Sequence, residues 1–262
     1  VPLKSGAREF LQYLKEHHIK TGIASSNGIE LVRAVLKAQG VEEYLDSVHT
    51  CCEVEKGKPN PDIYLKVLEE MGMTSEEAKK LLTSDYIYYA CMMLRDGSAD
   101  GVVSGACHST ANTLRPALQL VRPKPGVKLV SAFFVMVVPD KTLGANGTLI
   151  FGDCGLEQDP DSESLAHIAI DSAHSFAKLI GTEPVVALLS HSTKGSARHP
   201  NIDKVARAVT IAKELDPSVL LDGELQLDAA IIPEVAAFKA PDSELAGHAN
   251  VLIFPDLDAG NI

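Results

Sequence analysis

The stretch over residues 185–221 decides the architecture. It opens with the apolar run Val185-Val-Ala-Leu-Leu189 and turns polar through Ser190-His-Ser-Thr-Lys-Gly-Ser196. Apolar residues three and four apart then run over 202–215, before Leu220 and Leu221 restore an unbroken apolar pair. A short unbroken apolar run reads as a strand buried on both faces, and the three-and-four spacing reads as an amphipathic helix. Strand, helix, strand in that order builds a parallel sheet. Outward from there, short apolar runs over 101–103, 129–138, 148–151 and 251–254, bounded by Gly, Pro or Asp, read as further strands, and 164–180 reads as a helix. The predicted class is α/β, with a mainly parallel sheet sandwiched between helices. Neither an internal repeat nor a low-complexity tract is apparent.

Residues 1–73 alternate in the same way. Leu11, Leu14 and the stem of Lys15 follow Phe10 at helical spacing. A strand over 21–24 ends in Ser25-Ser-Asn27, which reads as a helix N-cap. The following helix, over 29–38, is expected to bury Leu31, Val32, Val35 and Leu36 and to stop at Gly40. Residues 51–54 read as a strand, and Ile63, Leu65, Val67 and Leu68 mark a third helix after a Pro-rich turn.

The chain has 262 residues and a mass of 28.0 kDa, 45% of it hydrophobic and 23% charged, enough for one large or two small cores. Lys plus Arg total 24 against 35 Asp plus Glu, a net charge of −11, which disfavours nucleic acid and anionic membrane as partners. Most of that acidity lies after residue 73, since residues 1–73 carry 9 basic and 11 acidic side chains. The longest apolar stretch, 129–138, is about half a bilayer span. Residues 1–25 lack a basic-then-apolar leader pattern. Five cysteines (51, 52, 91, 107 and 154) without C-x-x-C spacing suggest neither a disulfide framework nor a zinc site, so reduced thiols in a cytoplasm are expected and no metal is assigned.

Gly22-Ile-Ala-Ser-Ser-Asn-Gly28, followed by Lys56-Gly-Lys-Pro-Asn-Pro-Asp62, resembles the second and third signatures of the haloacid dehalogenase superfamily of phosphatases and phosphomutases. The resemblance implies a partial Rossmann-like segment in which Ser25 binds a phosphoryl group and Lys58 offsets its charge. The superfamily's Asp-x-Asp nucleophile pattern does not precede Ser25, so residues 1–73 are expected to be a catalytically incomplete piece.

From about residue 83 onward the chain resembles the phosphate acetyltransferase family, through six motifs in that family's order. These are Ala99-Asp-Gly-Val-Val-Ser-Gly105, His108-Ser-Thr-Ala-Asn-Thr-Leu-Arg-Pro-Ala117 and Phe151-Gly-Asp-Cys154, then the loop Ser190 to Ser196. Asp222-Gly-Glu-Leu-Gln226 with Asp228-Ala-Ala230 follows, and then Asn250-Val-Leu-Ile-Phe-Pro-Asp256 with Ala259-Gly-Asn261. The resemblance implies a two-domain fold like that of isocitrate and isopropylmalate dehydrogenases, with a partial first domain over 74–128, a second domain over 129–262 and a catalytic cleft between them. It implies reversible exchange of acetyl-CoA plus phosphate for acetyl phosphate plus CoA, with CoA as co-substrate, no tightly bound cofactor, and usually a homodimer. A non-catalytic acetyl-CoA-binding module is the alternative, with a phosphatase built on residues 1–73 behind it. The family's Asp and Ser-Arg pair, which act as general base and position substrate, correspond to positions past Ile262, so the catalytic residues stay unassigned.

The chemistry asks for a fork for phosphate, donors for an oxyanion and a base for the CoA thiol. Arg115 is the phosphate fork, because a guanidinium offers two parallel donors and stays charged. Ser109, Thr110 and Thr113 lie close upstream at a loop-to-helix junction, with the helix expected to begin at Pro116. Ser104 and Gly105, after the predicted strand 101–103, are small enough for a ligand to approach the backbone. Ser190, Ser192, Thr193 and Lys194 are expected to line the cleft from the second domain. His191 stands where the family usually has a tyrosine and is given no proton-transfer role. Asp153, Asp222, Asp228 and Asp256 read as capping or pairing acids, and Cys154 as a small buried residue.

Overall fold

The protein is described from a computed structural model, over residues 3–25, 27–50, 74–123, 127, 129–243 and 245–262. Its packing divides into two units, Val1–Pro125 and Gly126–Ile262. Among the described residues no helix is long and apolar enough to cross a membrane.

The first unit begins α1 (Ala7–Glu16), β1 (Gly22–Ser25), α2 (Ile29–Gln39) and β2 (Ser47–Thr50). β1 and β2 pair in parallel, Gly22 opposite Ser47. A Cβ at Gly22 would lie 2.6 Å from the Ser47 hydroxyl, so glycine suits that close approach. α2 is capped by Gly28, not by Ser25 or Asn27, and ends at Gly40 in the left-handed region, φ 60°. It buries Leu36 alone, while Leu31 and Val35 are exposed. The strand expected over 51–54 and the helix marked by Ile63 to Leu68 lie outside the described residues.

α3 (Ser75–Ser84) opens with a capping box in which Thr74 and Glu77 satisfy each other's backbone N–H groups. α4 (Tyr86–Asp96) is capped by Asp85, which accepts from the N–H groups of Ile87 and Tyr88 at 2.9 and 3.3 Å. Ile87, Tyr88, Cys91 and Met92 of α4 form a buried cluster with Leu120. No strand forms over 101–103, where Gly101 and Val103 stand exposed rather than in a sheet. α5 (Thr110–Pro116) begins before Pro116 instead of at it, since Ser109 supplies the cap. Pro116 has no N–H for the Asn112 carbonyl, and the chain widens into a π-helical turn over Ala117–Val121.

The second unit is a five-stranded sheet. In chain order its elements are β3 (Phe133–Val137), β4 (Thr148–Gly152), α6 (Ser162–Ile180), β5 (Val185–Leu189), α7 (Pro200–Leu215) and β6 (Leu220–Leu225). α8 (Leu227–Ile231), α9 (Pro233–Lys239), β7 (Val251–Ile253) and α10 (Leu257–Gly260) follow. The spatial order is β3-β4-β7-β5-β6, parallel throughout except that β3 runs antiparallel on β4.

Strand residues alternate between two cores. Ile150, Val186, Leu188, Leu221, Val251 and Ile253 pack with Leu165, Ile168, Phe176 and Val205 of α6 and α7. Their neighbours Leu149, Ala187, Leu189, Leu225 and Leu252 pack with Ala230 and Ala236 of α8 and α9 on the other face. Unbroken apolar strands are what a sheet covered on both sides requires. β3 departs from this: Phe134, Val135 and Val137 are 41, 48 and 69% exposed, as an outer strand permits.

Leu188→Ala is expected to cost about 2–5 kcal/mol of folding stability by leaving a cavity between helix and sheet. Val137→Ala on the exposed strand is expected to cost less than about 0.5 kcal/mol. Urea unfolding midpoints of the two variants check the contrast.

Candidate functional site

In the first unit the predicted phosphate-site residues lie along α5 and the loop before it, Ser109 and Thr110 at the start of the helix and Arg115 in its last turn. Ser109 Oγ accepts from the Asn112 N–H at 3.3 Å, so it caps the helix while its own proton stays available. Thr113 is different: its hydroxyl donates to the Ser109 carbonyl at 3.1 Å. Thr110, the first helical residue, is exposed, as is Ser104. Gly105 has φ 107°, and a Cβ there would touch the Thr113 hydroxyl at 3.4 Å, so a glycine lets the loop lie against α5.

Arg115 is exposed and makes no hydrogen bond or ion pair with any described residue. Its charge is nonetheless felt nearby. Burial pushes the Tyr88 phenol up, and the Arg115 guanidinium opposes that rise by favouring the phenolate. An exposed guanidinium can grip an oxyanion in two-pronged fashion. His108 adds a side chain that the sequence reading passed over: Tyr86 Oη lies 3.1 Å from its ring nitrogens, and Cys107 Sγ lies 3.3 Å from Nδ1. The signal available was its place at the head of the His108 to Ala117 motif.

In the second unit, the loop after β5 is bound to β6. Lys194 and Gly195 both take left-handed backbone, φ 49° and 80°, which folds the loop back on itself. The buried Glu224 carboxylate receives the Ser192 hydroxyl at 3.1 Å and the Gly195 N–H at 2.7 Å, and its carbonyl accepts from the Lys194 N–H at 3.1 Å. Thr193 Oγ1 accepts from the Gln226 N–H at 2.9 Å. Ser192 and Thr193 are therefore buried supports of the loop, whereas Lys194 is exposed and Ser190 half-buried. Sequence reasoning missed Glu224 and Gln226 because it weighed only the aspartates of that motif. His191 is exposed, its ring edge-on to His199 at 6.2 Å.

The acids are all engaged. Asp153 accepts from the N–H groups of Ala132, Gly155 and Leu156 at 2.8–3.0 Å. Asp228 pairs with Lys239 at 2.7 Å, and Asp256 caps α10 through the Ala259 N–H at 2.9 Å. Cys154 is fully buried, and burial, with the Asp153 charge adding to it, pushes its thiol up to about 12. A thiol so placed stays protonated and inert. Among the described residues no group of three His, Cys, Asp or Glu could hold a metal ion. Of the two phosphatase-signature residues, Ser25 Oγ accepts from the Asn27 N–H at 3.2 Å, and Lys58 lies outside the described residues.

Asp222 bonds Lys194 Nζ and Ser243 Oγ, and accepts from the Gly223 N–H at 2.9 Å. Burial alone would raise its carboxyl, but these donors outweigh burial and hold it below the ordinary value of 3.8. A carboxyl lowered on folding stabilises the native state above its unfolded value and loses that contribution as pH falls through the lowered one. Asp222→Asn is therefore expected to cost about 1.5 kcal/mol near pH 7, the low end for a charge-assisted bond because Lys194 is partly solvated. The gap to the parent protein should close as pH drops below 3.8 in urea titrations.

Comparison with known proteins extends these observations. The family model described as Phosphate acetyl/butaryl transferase matches residues 18–262. The chain is 54% identical over 199 residues to a phosphate acetyltransferase of Thermoanaerobacterium thermosaccharolyticum, covering 76% of this chain and 60% of that protein. It is 46% identical over 262 residues to the phosphate acetyltransferase of Acetivibrio thermocellus, covering 99% of this chain and 74% of that protein. The chain thus spans about three fifths to three quarters of the length of these relatives. Among solved structures, the EutD phosphotransacetylase from Staphylococcus aureus superposes with a TM-score of 0.76 at 35% identity, over 97% of this chain and 83% of that one. A phosphotransacetylase from Streptococcus pyogenes does so with 0.76 at 36%, over 97% and 84%. None of these matches is to a haloacid dehalogenase, and the family match takes in most of residues 1–73. With residues 18–262 inside one family model, the chain belongs to the Phosphate acetyl/butaryl transferase family.

Proposed function

We propose that the protein exchanges an acetyl group between coenzyme A and inorganic phosphate, with Arg115 holding the phosphate group. The observation that carries this reading is the exposed Arg115 guanidinium, unpaired among the described residues, on the short helix that Ser109 caps within the His108 to Ala117 motif. In the direction of thioester synthesis, the CoA thiolate attacks the acetyl carbonyl of acetyl phosphate, the carbon–sulfur bond forms and phosphate leaves. The reverse reaction uses the same groups. Arg115 offsets the charge that the phosphate carries in both directions, and Ser109, Thr110 and Ser104 are the hydroxyls this reading assigns to the same group. Thr113 acts by shaping the turn, with Gly105 packed against it. The base that takes the thiol proton is not assigned to any residue of this chain.

The loop of Ser190, Ser192, Thr193 and Lys194 presents Lys194 as its solvent-facing cation, the hydroxyls beneath it serving to fix its shape. Residues 74–128 and 129–262 are read as the two domains of an isocitrate/isopropylmalate dehydrogenase-like fold, which the division at Pro125 supports. The family match from residue 18 supports reading residues 18–73 with the transferase and not as a separate phosphatase built on Ser25 and Lys58. The free thiols at Cys91, Cys107 and Cys154 support a reducing compartment, the cytoplasm. A homodimer is the assembly this reading carries, and the apolar, half-exposed β3 supports a covering partner.

Arg115→Ala is expected to raise the KM for phosphate about ten- to a hundredfold in an acetyl-CoA-consuming assay followed by thiol release. Arg115→Lys should restore only part, since an ammonium lacks the planar fork. An unchanged KM would overturn the assignment. Calorimetric CoA binding with no acetyl exchange would favour the non-catalytic binding module instead.

A further inference from the structure

The second unit contains a cavity of about 650 Å³ beside the outer strand β6, framed by the last turn of α7 and by the segment that follows α9. Three lysines are among the residues that line it, Lys194, Lys213 and Lys239. Lys194 donates to Asp222 and to the Gly223 carbonyl, the latter at 2.9 Å. Lys239 donates to Asp228 at 2.7 Å and to Gln226 Oε1 at 3.1 Å. An ammonium has three N–H groups, so each retains one. Lys213 retains all three, because it makes no hydrogen bond or ion pair with any described residue.

Asp242 lines the same cavity and is likewise unpaired among the described residues. An unpaired cation and an unpaired carboxylate that share a cavity without meeting leave room for a ligand to lie between them. Such a ligand carries negative charge at one end and hydrogen-bond donors at the other. Leu221 and Leu245 give the space between an apolar wall. The volume falls within the range of pockets that take ligands of nucleotide size and is far larger than orthophosphate needs.

We propose that this cavity binds a nucleoside diphosphate group, its phosphates on Lys213 and the remaining donors of Lys194 and Lys239, its hydroxyl or amino donors on Asp242. The group is either a free nucleotide or the corresponding end of coenzyme A, and only the second case rests on the acetyl-transfer reading. The ligand's polyphosphate brings compact charges suited to lysine ammonium groups.

The experiment is calorimetric titration of the full chain with ADP, pyrophosphate and adenosine, which needs no turnover and so stands or falls apart from the acetyl-transfer assay. Saturable ADP binding that weakens as salt rises is expected. Lys213→Ala should weaken both ADP and pyrophosphate about tenfold, and Lys213→Arg should restore most of the loss. Asp242→Asn should weaken ADP but leave pyrophosphate unchanged or tighter. Lys213 and Asp242 are exposed, so the variants keep the fold. ADP affinity that is absent in the parent protein, or the same in Lys213→Ala and Asp242→Asn as in the parent, overturns the proposal. Steady-state KM for CoA separates the two sources: a parallel rise in Lys213→Ala assigns the site to the end of CoA, and an unchanged KM assigns it to a free nucleotide.

Discussion

Burial of β4, β7 and β5 on both faces is the constraint on which the second unit depends. Their side chains point alternately to opposite sides, and every one of Ile150, Val186, Leu188, Val251 and Ile253 is at most 1% exposed. Neither face can be left to water, so helices must cover both, and the chain has to cross from one strand to the next by way of them. Once those crossovers are made, the polar loops fall at the strand ends. The loop of Ser190 to Ser196 leaves β5, and the segment holding Asp222 and Glu224 belongs to β6 beside it. The chemistry-bearing residues are thus positioned by an apolar requirement.

Polar burial then fixes detail that apolar burial leaves open. Glu224 is 5% exposed and would be costly alone, but a hydroxyl and a backbone N–H satisfy its carboxylate. The same bonds oblige Lys194 and Gly195 to adopt left-handed backbone, and the turn aims the Lys194 ammonium at Asp222. Asp222 in turn holds Ser243, so the segment after α9 is tied to β6. A single network links loop, strand and helix, and its members Lys194, Asp222 and Ser243 line the lysine-rich cavity.

The first unit follows a weaker version of the same logic. Among the described residues its sheet has two strands, and helix faces that the periodicity marks as apolar remain in contact with water at Phe10, Leu31 and Val35. Its buried cluster forms elsewhere, between α4 and the π-helical turn that follows Pro116. That turn begins where α5 ends, just past Arg115, so the residue assigned to phosphate sits where a capped short helix meets a proline-enforced change of register.

The order of strands and helices in the second unit was legible along the chain, because unbroken apolar runs and three-and-four spacing are local consequences of burial. Val185–Leu189 was readable to the residue for that reason. Strand direction was not legible: β3 has the same apolar look as the rest, yet it pairs antiparallel at the edge, a matter of which neighbour it meets. Residues 101–103 read as a strand and form none, since three apolar-looking positions specify no partner. The motif around Arg115 made that residue the candidate phosphate fork, whereas whether an acid comes to lie against its guanidinium depends on how distant segments pack. Glu224 and the unpaired Lys213 were invisible for the same reason: whether a charged side chain finds a partner is decided by residues far away in sequence, and only the folded chain brings those together or keeps them apart.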